Sequence, residues 1–370
     1  MLELEFRLKK FEEFIPKIQG KRILLYGTGM NAKKVIEEYP QLQIVGVMEK
    51  LVTDPYIFGK KNLNIEDLIT LKVDAVVIAS QIRNLREIYN RICLFCHANH
   101  IAVYDMYGND LFELFYKLED HLCSLCQRNV ETLEREIEEH DIISIDLFQT
   151  VFNAKVGFKE RIWWRIAKEY AAFISSPMEF VDTRKRVETK FLRREKNNQL
   201  DDIYSEIGGA LKLTGEQTDL LLEKEKQYVI QGLIVDERMI EILNQAKKSG
   251  KTIWAISDLY FSEEEIQKFL EKHHINLFDK IISAKDLGCM KHTGLFRVMD
   301  GENRKWLHVG EDEITDGLCP LVNGVDIFLL KKADSLRKSS DYYEIFQQIQ
   351  KWYEGGKVND IIKYGSDSLY

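Results

Sequence analysis

The chain has 370 residues, of which 45% are hydrophobic and 30% charged, and its formal net charge is -8. This length predicts two or three domains, and the hydrophobic content excludes a globally disordered chain. The negative charge argues against nonspecific nucleic-acid binding, because nucleic-acid phosphates would be repelled. The charged start lacks the apolar stretch of a signal peptide, and no apolar run approaches the ~20 residues of a membrane span. We therefore predict a soluble, cytoplasmic protein without membrane insertion.

The first part of the chain alternates strand and helix patterns. An amphipathic helix is predicted to end near Pro16, and residues 110–139 indicate a helical connector. Alternation of this kind is typical of a parallel sheet covered by helices. The predicted strands are 22–26, 43–48, 74–79 and 101–104, and the predicted helices are 31–38, 65–71 and 84–98.

A second alternating pattern begins at 141–146 and is interrupted by a long helical stretch, 158–249. Strand patterns resume at 251–257, 280–283, 306–309 and 326–330. The fold class is therefore α/β, with an N-terminal Rossmann-like parallel sheet followed by a second parallel sheet that carries a helical insertion. The predicted divisions are a first domain at 1–108, a connector at 109–140, a second core at 141–156 and 246–335, its insertion at 157–245, and a C-terminal helix and tail at 336–370.

A glycine-rich turn lies between the first strand and the next helix. The sequence Gly27-Thr-Gly29-Met-Asn31-Ala32 is a GxGxxA pattern, and Glu49 follows the second strand. Glycines let backbone N–H groups approach a phosphate at a helix start, and an acidic residue at this spacing can bind a ribose diol. Gly27, Gly29, Asn31 and Glu49 are therefore candidate ligand-binding residues. The alternative is a Rossmann-like scaffold with no ligand.

Residues 20–107 resemble the nucleotide-binding-type domains found on sugar-modifying enzymes. The resemblance rests on the GxG turn, on Gly59-Lys-Lys61 and on the stretch that leads to Asp67. It implies a nucleotide or nucleotide-sugar ligand rather than NAD.

Two CxxC pairs, Cys93 with Cys96 and Cys123 with Cys126, have the spacing of zinc ligands. Both pairs lie in helical patterns without the glycine-rich turns of zinc ribbons. Core thiols in a reducing compartment are the favoured alternative.

Four polar signals occur in order in the second half: Asp146, Ser257 with Asp258, Lys291, and the run from Glu311 to Asp316. All except Lys291 stand at the end of an apolar strand pattern. An aspartate can attack phosphorus and form an aspartyl-phosphate. Carboxylates such as Asp146, Glu311 and Asp316 can hold Mg²⁺. Lys291 can neutralise the transition state, and the Ser257 hydroxyl can bind a phosphoryl oxygen.

This ordered set resembles the haloacid dehalogenase (HAD) superfamily, and more closely its bacterial members associated with surface-polysaccharide genes. The motifs are Ser144-Ile-Asp146-Leu-Phe-Gln-Thr150, Ser257-Asp-Leu-Tyr260, Lys291-His-Thr-Gly-Leu-Phe296, and His308-Val-Gly-Glu-Asp312 through Asp316. The resemblance covers about 141–333 and implies a HAD-type core with a helical C1 cap. It implies a Mg²⁺-dependent phosphatase acting on a sugar phosphate or sugar nucleotide, with glycosyltransferase-pathway partners.

Two departures from the resemblance bear on activity. Phe148 stands where phosphatases of the superfamily carry an acid–base aspartate, and Gln149 replaces the aspartate that compensates for it in the subgroup. Glu311 replaces a metal-binding aspartate. Three interpretations stay open: hydrolysis of a substrate whose leaving group needs little protonation, a phosphate site with little turnover, or dehalogenation.

Within the insertion, Phe180 through Arg184 to Glu188 matches a motif of the same subgroup. Arg184, Lys185 and Arg186 could hold an anionic part of the substrate, but a solvated basic face paired with Glu188 and Glu195 is favoured. Trp163 and Trp164 are interpreted as cap core rather than a sugar platform. His308, on an apolar strand, is interpreted as a core residue.

The sequence thus predicts a phosphohydrolase for a small phosphorylated substrate. The competing hypothesis is a regulatory protein that senses a nucleotide-sugar with a catalytically weakened second domain. A scaffold in a glycosyltransferase assembly is a third.

Overall fold

A computed structural model describes residues 2–51, 54–123, 130–154, 158–193, 200–299, 301 and 304–330. The chain forms two compact units. The first comprises the described residues within 1–124, 291–300 and 312–327, and the second those within 125–290, 301–311 and 328–370. None of the described helices is both long enough and apolar enough to cross a membrane. The predicted C-terminal helix and tail at 336–370 lie outside the described residues.

The first unit is built on a four-stranded sheet with the order β2-β1-β5-β6, in which every neighbouring pair is parallel. The buried runs that form these strands, such as Ala75–Ile78 with all four residues buried, are too apolar to face solvent. The strands of this unit are β1 (Arg22–Tyr26), β2 (Gln43–Met48), β3 (Tyr56–Ile57), β4 (Lys60–Lys61), β5 (Ala75–Ile78) and β6 (Ala102–Asp105).

Helices α1 (Leu2–Ile18), α2 (Met30–Glu38), α3 (Asp67–Thr70), α4 (Ile82–Ala98) and α5 (Leu111–Cys123) complete the N-terminal part of this unit. The first helix ends at Ile18, close to the predicted end near Pro16. Proline removes one backbone hydrogen bond, but Gln19 N still donates to Ile15 O. Burial of Phe14 and Ile18 on either side of Pro16 holds the last turn in place.

The second unit contains a five-stranded sheet with the order β11-β10-β7-β12-β13. Strand β7 pairs in parallel with both β10 and β12, and β10 pairs in parallel with β11. The predicted α/β class with two parallel sheets is confirmed. The strands are β7 (Ile142–Asp146), β8 (Phe152–Ala154), β9 (Leu233–Val235), β10 (Thr252–Ser257), β11 (Lys280–Ser283), β12 (Trp306–Gly310) and β13 (Asp326–Leu329).

A helical insertion stands between β8 and β9, which pair antiparallel at its base. Its helices are α7 (Phe158–Glu169), α8 (Pro177–Arg193), α9 (Leu200–Leu211) and α10 (Gly215–Gln231). Thr214 and Gln217 form a capping box that fixes the start of α10. The remaining helices of this unit are α6 (Val130–Glu139), α11 (Glu237–Lys248), α12 (Glu263–Lys272) and α13 (Ala284–Leu287).

Two segments from the second half of the chain belong to the first unit. One holds a 3₁₀ turn, Lys291–Thr293, followed by α14 (Leu295–Val298). The other holds a π-helical turn, Glu313–Leu318, followed by α15 (Cys319–Val322). The predicted domain divisions stay a prediction. In the structure, Lys291 and Asp316 belong to the same compact unit as the N-terminal sheet.

Candidate active site and ligand site

The carboxyl edge of the second sheet carries three predicted site residues. Asp146 ends β7 and lies opposite Ile256, so Ser257 stands one residue beyond it on β10. Ile145 lies opposite Val309, so Glu311 follows the end of β12 on the other side. Strand β7 is central, with β10 and β12 on either side, and ligands of open parallel sheets bind at such a switch point. The sheet therefore brings Asp146, Ser257 and Glu311 to one edge.

The turn after Asp146 is tight. The N–H groups of Val151 and Phe152 both donate to Leu147 O, at 3.0 and 2.8 Å. Gln149 has a φ of 73°, a left-handed conformation that is uncommon for a residue with a side chain. Its side chain is exposed, whereas the ring of Phe148 stacks on that of Phe261 with centroids 5.7 Å apart. Phe148 therefore packs in an aromatic cluster.

Ser257 is fully buried, and its hydroxyl oxygen accepts a hydrogen bond from Leu259 N at 3.1 Å. Ser257 therefore has a structural role in the turn after β10. That bond uses a lone pair and leaves the hydroxyl hydrogen available as a donor. A structural role and the predicted phosphoryl contact are thus compatible.

Lys291 and Asp316 form a buried ion pair within the first unit. Lys291 Nζ lies 2.6 Å from Asp316 Oδ1, and each side chain is 2% exposed. The other oxygen, Asp316 Oδ2, accepts a hydrogen bond from Asp312 N at 3.0 Å. Lys291 is therefore a buried, paired charge and not a solvated one. The π-helical turn that carries Asp316 is a feature frequently found at functional sites.

The carboxylates at the second sheet edge suit a hard cation. Among the described residues, no three or more His, Cys, Asp or Glu side chains are grouped to hold a metal ion. Mg²⁺ does not require such a group, since it retains waters and is commonly bound by one or two carboxylates together with phosphate. Asp146 and Glu311, which follow neighbouring strands, supply two carboxylates. The oxygens of Asp316 already accept bonds from Lys291 and Asp312, so its ligand role stays a prediction.

His308 is a core residue, as predicted. It is fully buried, and its Nδ1 lies 2.8 Å from Ser144 Oγ, which also accepts a hydrogen bond from Trp306 Nε1. These bonds satisfy the polar groups of β7 and β12 beneath the sheet edge.

The insertion contains a buried ionic network. Arg184, 1% exposed, donates from Nε and Nη2 to the two oxygens of Glu225, at 3.0 and 2.7 Å. Tyr204 donates to Glu225 at 2.6 Å, and Tyr260 also hydrogen-bonds that carboxylate. The prediction of a solvated face is wrong for Arg184, because the partner is a buried residue on α10. Arg186 is exposed, and Lys185 is paired with Glu160.

The electrostatics of this network are set by Glu225. Burial lowers the pKa of Arg184, but the attraction of Glu225 outweighs that effect and the pKa is raised overall. Burial and the same carboxylate raise the pKa values of Tyr204 and Tyr260 well above the usual range. The guanidinium lies 4.7 Å from the ring centroid of Trp163, which is itself buried. The cap-core role of Trp163 is confirmed, and Trp164 packs partly buried against the same core.

The carboxyl edge of the first sheet carries the predicted ligand residues. Gly27 has a φ of 124°, and a Cβ there would lie 3.0 Å from Ala79 O. Gly29 is the N-cap of α2, with no side-chain cap, and Asn31 lies in the first turn. Strand β1 has β2 on one side and β5 on the other, so Gly27 also stands at a switch point.

Glu49 is held in place beside this turn. Thr28 Oγ1 donates to Glu49 Oε2 at 3.0 Å, and Asn62 Nδ2 donates to Glu49 Oε1 at 3.1 Å. Asn62 Nδ2 also donates to Asp54 O, at 3.0 Å. Asn62 is 5% exposed, and its Oδ1 has no hydrogen-bond partner among the described residues. Sequence reasoning missed Asn62, whose only signal is its place after the Gly59-Lys-Lys61 turn.

The first cysteine pair lies on α4, where Cys96 is fully buried. Burial, followed by the nearby Cys93, raises the pKa of the Cys96 thiol to about 12. This burial fits the predicted alternative of a core thiol. Of the second pair, Cys126 and the side chain of Cys123 lie outside the described residues.

No protein-family model matches the chain, and no curated protein is significantly similar to it. Solved structures similar to part of the chain include the HAD family enzyme bt-2542 from Bacteroides thetaiotaomicron. This similarity has 12% identity and a TM-score of 0.37, and covers 56% of this chain and 98% of that one. The same enzyme with magnesium and inorganic phosphate gives 12% identity, a TM-score of 0.37, and coverage of 56% and 99%.

A third similar structure is that of YfnB from Bacillus subtilis, described as a HAD-hydrolase bound to magnesium. It has 14% identity and a TM-score of 0.38, and the match covers 51% of this chain and 87% of that one. Similarities this remote do not transfer a function. The functional assignment therefore rests on the residues of this chain.

Proposed function

We propose that the protein hydrolyses a phosphorylated small molecule through an aspartyl-phosphate at Asp146. The observation that carries the proposal is the position of Asp146 at the end of the central strand β7, with Ser257 after one neighbouring strand and Glu311 after the other. The order of Asp146, Ser257, Lys291 and Asp316 along the chain, which resembles the HAD superfamily, supports the same chemistry.

The reaction has two displacements. A carboxylate oxygen of Asp146 attacks phosphorus, the bond from phosphorus to the leaving oxygen breaks, and that oxygen takes a proton from water. A water molecule then attacks phosphorus, the bond to Asp146 breaks, and the carboxylate is restored. A sugar phosphate yields inorganic phosphate in this step, whereas a sugar nucleotide yields the sugar phosphate or nucleoside phosphate that was bound to Asp146. The water transfers its proton to solvent.

Each other residue has a role that suits its chemistry. The hydroxyl hydrogen of Ser257 donates to a phosphoryl oxygen, and Lys291 neutralises charge that develops in the displacement. Asp316 keeps Lys291 charged and oriented through their 2.6 Å contact. Asp146 and Glu311, with Asp316 as a further candidate, would hold Mg²⁺, which would offset the phosphate charge when bound.

The substrate class follows from Gln149 and Phe148. Neither side chain can protonate a leaving group, and the loss of general acid help costs roughly 10²–10⁴-fold. Substrates with acidic leaving groups suffer least. Of the two proposed substrate classes, this favours a sugar nucleotide, whose leaving group is a phosphate, over a sugar phosphate, whose leaving group is an alcohol. A role in surface-polysaccharide metabolism and partners in a glycosyltransferase pathway rest on the resemblance alone.

A second candidate function belongs to the first sheet edge. We propose that Gly27, Gly29 and Asn31 bind the phosphates of a nucleotide or nucleotide-sugar. Glu49 and the buried Asn62 Oδ1 would accept hydrogen bonds from its hydroxyl groups. If the Asp146 site turns over slowly or not at all, this site would make the protein a sensor of such a ligand.

The first proposal is tested with Mg²⁺ by measuring phosphate release from a panel of sugar phosphates and from nucleotide sugars whose cleavage products are treated with an added phosphomonoesterase. Asp146→Asn is compared with wild type, and Asp202→Asn, an exposed carboxylate on α9, serves as the control. We expect Asp146→Asn to lose turnover of at least one substrate and Asp202→Asn to retain it. Absence of phosphate release from every member by folded wild-type protein would contradict the hydrolase proposal and favour ligand sensing.

A further inference from the structure

The segments that carry Lys291 and Asp316 are attached to the N-terminal sheet by specific side chains. Arg297, on α14 directly after the Lys291 turn, donates from Nη2 to the hydroxyl of Tyr107. Its guanidinium carbon also lies 4.2 Å from the centroid of the Tyr107 ring. Arg297 Nε donates to Asn323 Oδ1 at 3.3 Å, and Asn323 follows α15 in the Asp316 segment. One arginine thus joins both segments to the loop after β6.

The loop after β6 is itself rigidly built. Asp105, 1% exposed, accepts hydrogen bonds from Tyr107 N at 2.8 Å and from Asn109 N at 3.0 Å. Asn109 Nδ2 donates to Asp105 at 2.8 Å and to Val322 O, at the end of α15, at 3.0 Å. A buried carboxylate therefore fixes both residues that reach the catalytic segments.

A further link comes from α4. Arg86 forms ion pairs with Glu119 on α5 and with Glu313, the first residue of the π-helical turn that carries Asp316. These side chains are partly exposed, so the link contributes less than the Arg297 contacts. It adds a second attachment point on the N-terminal sheet.

We infer that the N-terminal domain positions the Lys291–Asp316 pair, and that Tyr107 and Arg297 are positioning residues for the reaction of the proposed phosphohydrolase. This inference rests on the proposed function. Lysine is long and flexible, so its ammonium stabilises a transition state only when its backbone and its partner carboxylate are fixed. The 3₁₀ turn and the short α14 have little regular structure of their own, and the Arg297 contacts supply that fixation.

The test compares kcat and KM for phosphate release by full-length Arg297→Met, Arg297→Lys and Tyr107→Phe. Arg238→Met, an exposed arginine on α11, is the matched control. We expect Arg297→Met to lower kcat about 10–100-fold while KM changes less than about threefold, because misplacement of a catalytic group costs rate more than substrate binding. Arg297→Lys should restore part of the rate, and Arg238→Met should match wild type.

A wild-type kcat in folded Arg297→Met overturns the inference. If that variant does not fold, Tyr107→Phe decides, since it removes one hydroxyl and retains the ring. A kcat lowered severalfold supports the inference, and an unchanged kcat overturns it. Failure of the proposed function has a different signature, because wild type would then show no turnover or Asp146→Asn would release phosphate at the wild-type rate.

Discussion

The two parallel sheets of this protein have the same kind of crevice but different chemistry at it. In each, the first strand of the sheet, β1 or β7, lies inside the sheet with later strands on both sides. The first crevice presents Gly27 and the starts of α2 and α4, neither of which has a side-chain cap. The second presents the Asp146 carboxylate and the Ser257 hydroxyl. Topology sets where a ligand binds, and side chains determine whether it is held or transformed.

The sheets also differ in the segment of chain that follows their first strand. In the first unit β1 leads directly into α2. In the second, the chain after β7 passes through β8 into the helical insertion, which has its own buried ionic network. We expect the changes below to separate a binding edge from a reacting edge.

The largest effect is expected at Gln149, where an acid would make the second edge more reactive. Gln149→Asp restores a group able to protonate a leaving oxygen, and aspartate tolerates the 73° φ of this position better than glutamine. We expect kcat for a substrate with a poor leaving group to rise about 10²–10⁴-fold. Steady-state phosphate release measures it.

Phe148→Asp is the comparison for that variant. It places an acid one residue earlier but removes the ring that stacks on Phe261, so it should lower stability. No gain in kcat from Gln149→Asp, at unchanged stability, would show that protonation of the leaving group does not limit the rate of hydrolysis at the second sheet.

Removing Arg184 should destabilise the insertion that only the second sheet carries. Arg184→Met leaves Glu225 buried without its cation, which typically costs about 3–5 kcal/mol. Lys185→Met, in a partly exposed pair with Glu160, should cost less than about 1 kcal/mol. Urea unfolding followed by tryptophan fluorescence measures the stability of both variants. Equal effects of the two variants would contradict the buried-network assignment.

Asp105 should make the stability of the first sheet depend on pH. Burial raises the pKa of this carboxyl from 3.8 to about 6, despite opposing bonds from Asn109 and Tyr107 and the charge of Arg297. The folded state therefore binds the proton more tightly than the unfolded state. The resulting stability is full below pH ~4 and is lost as pH rises to about 6, an effect of about 3 kcal/mol.

Hydrogen exchange of the β6 amides at pH 4.5 and 6.5, in wild type and Asp105→Asn, measures this effect. The difference between the two proteins isolates Asp105 from other carboxyl groups. Protection in wild type that rises with pH relative to the variant has the opposite sign and would contradict the prediction.

The smallest effects are expected at Gly27 and Gly29, at the carboxyl edge of the first sheet, where substitution by alanine should have different consequences. Gly27→Ala forces a Cβ to 3.0 Å from Ala79 O at a positive φ and should cost about 1–3 kcal/mol. Gly29→Ala meets no atom within 4 Å and should leave stability unchanged while weakening nucleotide-sugar binding. Thermal unfolding and calorimetric titration with nucleotide sugars separate the effects. Unimpaired binding by Gly29→Ala would remove this turn from the proposed ligand site.

Much of the fold could be predicted because buried parallel strands are continuous apolar runs. The predicted bounds of β1, β2 and β11 match the structure. Strands β8 and β9 were missed, since three residues are too few to show a periodicity. The first helix runs past Pro16 to Ile18, because packing of Phe14 and Ile18 outweighs the loss of one hydrogen bond.

The candidate site was predictable where residues follow strands, because parallel strands place their carboxyl ends at one edge. Partners supplied by distant helices were not. Arg184 was assigned to solvent because periodicity indicates a helix face but does not identify the residue, here Glu225, that packs on it. Asn62 likewise follows a short hairpin with no motif of its own. The attachment of Arg297 to Tyr107 joins parts of the chain that no local pattern connects.

The most direct test of the central claim is chemical trapping of the intermediate. Wild-type protein is mixed with a substrate identified by phosphate release, quenched, and treated with borohydride, which reduces an aspartyl-phosphate to homoserine. Peptide mass spectrometry then locates the reduced residue. The account predicts homoserine at position 146 only when substrate is present, and none in Asp146→Asn. Rapid turnover with reduction at another residue, or with an unmodified Asp146 under single-turnover conditions, would contradict it.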